Sequence, residues 1–98
     1  MSDLIVKSFV SNFLEDLKLS LNQDKIMEEW ISDVISTLDV ELIEALFKYV
    51  EVEALTPATI IIIANMTKPC KNVLNERNSF IIRSNNFLAK INWPYKIK

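Results

Sequence analysis

The chain has 98 residues, half of them apolar and 24% charged, with a formal net charge of −2. That length suffices for one domain with a real core, and the balance is that of a globular rather than a disordered chain. It holds no glycine, no histidine and a single cysteine, Cys70.

Those absences exclude whole function classes. Without histidine there is no Ser-His or Cys-His nucleophile pair and no histidine-metal site. Without glycine neither a phosphate-cradling loop nor a dinucleotide fingerprint can be built. One cysteine makes no internal disulfide, zinc site or CxxC pair, and suits a reducing compartment. Glycine normally supplies about 7% of residues, so helix ends that need a left-handed residue must fall to asparagine, of which there are nine.

The opening MSDLIVKSFV places an acidic residue where a signal peptide wants positive charge. No stretch approaches the roughly 18 apolar residues of a membrane span. The expectation is a soluble, cytoplasmic protein with no membrane association. Val6, Val10, Phe13 and Leu17, widened by Phe9 and Leu14, repeat at helical spacing behind a capping Ser2. SLNQ offers a capping box, Ser20 three residues before Gln23, and predicts a second helix over about 22–37. Its inward stripe is Met27, Trp30, Ile31, Val34 and Leu38. Asp39 caps a third helix expected to run to about residue 54, with Ile43, Leu46, Phe47 and Val50 inward.

Thr56-Pro57 is the strongest local signal. Threonine caps, and proline at the first helical position loses no hydrogen bond. A helix is predicted over 57–67, ended by Pro69. Four isoleucines at 60–63 cover every face of it, so it is expected at the buried centre. β-Branching argues for a strand instead, but no other segment alternates to pair with one.

Residues 70–78 read as either a short helix or a loop. SFIIRSNNFLAKI predicts a last helix, with Phe80, Ile81, Phe87, Leu88 and Ile91 inward and Ser79, Arg83, Asn86 and Lys90 outward. Pro94 stops it, leaving 93–98 as an expected extended tail. The fold class is all-α: one compact bundle of five or six short helices, spanning 1–98.

Charge is divided along the chain. Residues 1–55 hold 12 acidic and 4 basic side chains, a net of −8; residues 56–98 hold 1 acidic and 7 basic, a net of +6. The halves can neutralise one another within a chain, pair between chains, or leave a patch for a foreign partner.

No catalytic residue, metal ligand or cofactor is expected. Asp24 with Glu28, and Glu29 with Asp33, stand one turn apart, but paired carboxylates on a solvated face are commonly no more than that. Cys70 lies between Lys68 and Lys71; nearby cations can activate a thiol, and the simpler expectation is a small buried hydrophobe.

The expected function is a non-enzymatic protein–protein interaction module, acting through self-association or docking on a larger complex. Candidate partner-binding residues are Arg77, Arg83, Asn86, Lys90, Trp93 and Tyr95 on the basic side, and Glu28, Glu29 and Asp33 on the acidic side. Isoleucine, asparagine and lysine make up 31 residues, an A/T-rich codon leaning that points to a phage or viral inhibitor, host-takeover or assembly factor. The alternative is a nucleic-acid binder using the basic last helix and tail, with Trp93 and Tyr95 for stacking.

Overall fold

The computed structural model describes residues 3–21 and 27–97. Five α-helices follow in order: α1 (Asp3–Leu21), α2 (Met27–Thr37), α3 (Val40–Tyr49), α4 (Pro57–Met66) and α5 (Leu74–Lys90). Single 3₁₀ turns occupy Val52–Ala54 and Lys71–Val73. No strand occurs among the described residues, so the bundle is all-α as the periodicity predicts. None of its described helices is long and apolar enough to cross a membrane.

One cluster of buried apolar side chains draws on all five helices and the tail. Phe13 enters it from α1, Ile31 and Ile35 from α2, and Ile43, Leu46 and Phe47 from α3. Ile60 and Ile63 come from α4, Phe80 and Leu88 from α5, and Ile97 from the chain end. α3 packs against both α1 and α5, and α2 against α4. The Phe47 and Phe80 rings meet at 5.5 Å between centroids, tilted by 49°, at the α3–α5 seam.

α1 continues through Ser20 to Leu21. Ser20 therefore belongs to the first helix and does not cap the second, because the apolar repeat runs on past it. Ser2 and residues 22–26, including Gln23, lie outside the described residues. Asp39 does cap α3: its Oδ1 accepts from the Leu42 N–H at 3.1 Å.

α3 ends at Tyr49, five residues short of the expected end. Val50 and Val52 are both fully buried. On a helix they would point roughly 200° apart. Extended backbone at Val50 and Glu51 lets the chain bury both and turn toward α4.

Thr56 caps α4 as predicted, its Oγ1 accepting from the Thr59 N–H at 3.3 Å, with Pro57 in the first turn. α4 holds the centre: Thr59, Ile60, Ile63 and Ala64 are buried, while Ile61 and Ile62 are half-buried at its margin. The isoleucine run is a core helix with a narrow solvent edge at Ala58 and Asn65.

Residues 70–78, open between helix and loop, resolve into the 3₁₀ turn leading straight into α5. The buried stripe of that helix is Phe80, Ser84 and Leu88, extended backwards through Arg77 to Val73 in the turn. Arg77, buried and polar, breaks the stripe at its start, which is why an apolar pattern starts only at residue 79. Ile91, expected inward, is exposed just past the helix end.

α5 closes with the one positive φ among the described residues, 58° at Asn92. The Asn92 N–H donates to Ala89 O at 3.1 Å and the Trp93 N–H to Leu88 O at 2.9 Å. That paired closure normally uses glycine; in this chain asparagine takes the place.

Candidate interaction surface

The basic half of the chain first serves the fold. Arg77 is 7% exposed. Its Nη2 donates to Ala64 O and its Nε to Thr67 Oγ1 at 3.3 Å. Thr67 Oγ1 in turn donates to Ile63 O at 2.6 Å and lies 3.3 Å from Ala64 O. Together they satisfy two carbonyls of the last turn of α4, Ile63 O and Ala64 O, where the helix dipole is negative.

Arg83 repeats the device at α3. Its Nη1 donates to Val50 O at 2.9 Å and its Nη2 to Phe47 O. Of the row Ser79, Arg83, Asn86 and Lys90, three stand exposed and Arg83 turns inward onto the end of α3. Its predicted outward orientation is therefore corrected: the dry carbonyls of a neighbouring helix end are a stronger sink for a guanidinium than water alone.

Residues 93–97 form no helix or strand and are tied down. Asn85 Nδ2 donates to Ile97 O at 2.9 Å, and the Ile97 N–H donates to Asn85 Oδ1 at 2.8 Å. This two-bond clamp drives Ile97 into the core, where it is 8% exposed. The same strap leaves Trp93 37% and Tyr95 71% exposed. Asn85, Asn86, Ala89, Trp93, Pro94, Tyr95 and Lys96 line a shallow hollow of about 300 Å³. Three of the predicted partner-binding residues, Asn86, Trp93 and Tyr95, thus meet at one place.

A second hollow of about 400 Å³ lies between α3 and α5, against Asn75, Glu76, Ser79 and Arg83. Between the hollows runs the outward face of α5. Its exposed residues are Leu74, Asn75, Asn78, Ser79, Ile82, Asn86, Ala89 and Lys90. One of these eight is charged, whereas Lys7, Glu15 and Asp16 are three of the eight exposed residues between Leu4 and Asp16 on α1. Leu74 and Ile82 did not stand out in the sequence. Ile82 lies opposite the Phe80–Ser84–Leu88 stripe, whereas Leu74 sits about 80° around the axis from it, exposed at the start of the helix.

The remaining candidates are dispersed. Glu29 and Asp33 are exposed one turn apart on α2, and the side chain of Glu28 lies outside the described residues. Among the described residues no three carboxylate or thiol groups converge as a metal site requires. Cys70 is half-buried. Burial pushes its thiol pKa up, and the Arg77 charge opposes the shift without reversing it. Activation by neighbouring cations is overruled by desolvation.

Comparison of the chain with protein-family models, curated proteins and solved structures finds no match in any of the three.

Proposed function

We propose that this chain is a small non-enzymatic protein–protein interaction module that presents the outward face of α5, and the aromatic tail behind it, to a protein surface. The observation that carries the reading is the make-up of that face: exposed Leu74 and Ile82 among amides, with a single charge, flanked by exposed Trp93 and Tyr95. Water-facing helix surfaces are commonly charged, whereas the centres of protein interfaces are depleted in charge and rich in aromatic anchors. Such a module acts by occupying a surface, as an inhibitor, host-takeover or assembly factor does. A lone thiol fits a reducing, cytoplasmic setting for it.

The nucleic-acid reading rests on the cations left at the surface of the basic half, Lys68, Lys71, Lys90 and Lys96, with Trp93 and Tyr95 for stacking. It is weakened because both arginines, the best readers of phosphates and base edges, are engaged on backbone carbonyls. Light scattering at low and high salt, with and without a short DNA duplex, separates the two. The protein-binding reading expects no duplex complex at either salt. A complex whose affinity falls steeply with salt, and which Trp93→Ala weakens, overturns it.

A further inference from the structure

We infer that the groove holding Ile97 is a docking site for an acidic peptide segment with a branched aliphatic anchor, and that the chain's own tail fills it as a displaceable substitute. This rests on the protein-binding reading and gives it a defined class of partner.

The backbone part of the recognition is generic. Asn85 Nδ2 donates to Ile97 O at 2.9 Å, and its Oδ1 accepts from the Ile97 N–H at 2.8 Å. A residue offers its own N–H and C=O to one partner when its backbone is extended, as in a hydrogen-bonded pair of antiparallel strands. Here a side-chain amide takes the place of the neighbouring strand, which is strand addition reduced to one residue. Those two bonds fix no side-chain identity. Selection lies in the Ile97 side chain, 8% exposed within the core cluster.

The tail is anchored at that one point. Every residue from Ile91 to Lys96 is exposed, so lifting the chain from Pro94 onward takes one described side chain, Ile97, out of the core. The closing bonds of α5, from the Asn92 and Trp93 N–H groups, lie before it and stay intact. A segment attached this way opens locally, without unfolding the bundle.

Charge says what fits better than the tail. Beside Ile97 lies a hollow of about 260 Å³ lined also by Ile61, Asn65, Lys68, Tyr95 and Lys96. Lys68, just past α4, and Lys96, on the tail, share this rim, and no acidic side chain is among the residues lining it. Glu76, the one acid of residues 56–98, lines the hollow between α3 and α5 instead. The tail therefore brings a like charge to Lys68. A segment with aspartate or glutamate just before its aliphatic residue keeps the Asn85 bonds and the anchor, and replaces that repulsion with attraction. Tethering lets a poorly matched ligand hold the groove until a better one arrives.

The probes are two labelled peptides, Trp-Pro-Tyr-Glu-Ile-Lys and its counterpart with lysine in place of glutamate, read by fluorescence anisotropy against the full chain. Ile97→Ser empties the slot from within and is expected to tighten binding of the glutamate peptide by about tenfold or more, because the unaltered chain binds only through its tail-released fraction. Adding Asn85→Ala to Ile97→Ser is expected to weaken that binding about tenfold. The glutamate peptide is expected to bind about threefold more tightly than the lysine peptide, and Lys68→Glu to reverse the order. In the unaltered chain a saturating glutamate peptide is expected to shift the Ile97 amide resonance, a readout that stands even if Ile97→Ser does not fold. A folded Ile97→Ser chain that binds neither peptide up to about 1 mM, or no more tightly than the parent, overturns the inference. So does binding indifferent to Asn85→Ala, a preference for the lysine peptide, or an unmoved Ile97 resonance. Those failures in a chain that binds no duplex remove the groove alone, whereas a duplex complex of the unaltered chain removes the protein-binding reading beneath it.

Discussion

Replacing Arg77 by methionine tests whether the basic half of the chain serves the fold before it serves any partner. The substitution keeps a stem of similar length and removes the guanidinium. Lost with it are the charge-assisted bonds to Ala64 O and Thr67 Oγ1. Hydrogen bonds to charged groups contribute about 1.5–3 kcal/mol each, and a cation at a partly buried helix C-terminus contributes up to about 2 kcal/mol. Working the other way, methionine avoids the desolvation of a charge that is 7% exposed. That relief does not win, because the backbone partner cannot be replaced and is left dry, with only Thr67 Oγ1 at 3.3 Å beside Ala64 O. A net loss of about 2–3 kcal/mol follows. For a domain of this size it corresponds to a fall of about 10–20 °C in melting temperature.

Urea unfolding followed by circular dichroism measures the loss. A double-mutant cycle with Thr67→Val is expected to show coupling of about 1 kcal/mol, since the two side chains share the same carbonyls. Lys90→Met, an exposed control on the same helix, is expected to stay within about 0.5 kcal/mol of the parent. Arg77→Met at parental stability, or strict additivity with Thr67→Val, would refute the assignment of Arg77 to the end of α4.

Three further outcomes follow from the same geometry. Asn85→Ala removes both bonds of the tail clamp and is expected to cost about 1–2 kcal/mol; amide exchange at Ile97 should quicken, and unchanged protection would show that the tail is held otherwise. Asn92 sits at φ 58°, so Asn92→Ala is expected to cost about 1 kcal/mol in thermal unfolding while Asn92→Gly is neutral or better; equal melting of the two would remove the left-handed cap from the account. Cys70, its thiol pKa raised by burial, is expected to alkylate more slowly than free cysteine at neutral pH. Because the folded pKa exceeds the unfolded one, its contribution to stability is complete below the ordinary thiol pKa and is lost as pH rises through the raised value. Alkylation as fast as that of free cysteine would contradict this.

Legibility from sequence divides along physical lines. Local backbone chemistry was readable: Asp39 and Thr56 cap as their positions predict, and the need for asparagine at a left-handed position reappears at Asn92. Apolar periodicity was readable too, and it gave the inward residues of α3 and the burial of Ile60 and Ile63. It failed where a core position is polar. Arg77 interrupts the stripe of α5, so residues 70–78 stay open between helix and loop and the apolar repeat starts only at residue 79; Ser84 breaks it a second time. Arg83 failed differently: its spacing places it on the outer row, and only the proximity of the α3 carboxyl end turns it inward. The candidate surface was half visible. Asn86, Trp93 and Tyr95 were identified and converge, while Leu74 and Ile82 were hidden because exposure of an aliphatic residue depends on which neighbours pack beside it.

The charge division also reads differently once the arginines are placed. Two of the seven cations in residues 56–98 compensate helix dipoles inside the fold, which leaves lysines to carry the outward field of that half. Self-association by opposite patches would weaken with salt, as all attractions between exposed charges do once the screening length shrinks to about 10 Å at 0.1 M. Docking through the outward face of α5 predicts a different response. That face is aliphatic and amide with a single charge, so a contact made there holds little Coulomb attraction for salt to screen. Any complex formed through it is expected to hold steady as salt rises tenfold from about 0.05 M. Sedimentation at a series of salt concentrations reads the response directly. A complex that dissociates progressively over that range would place the contact between oppositely charged surfaces, and the uncharged face of α5 would lose its role.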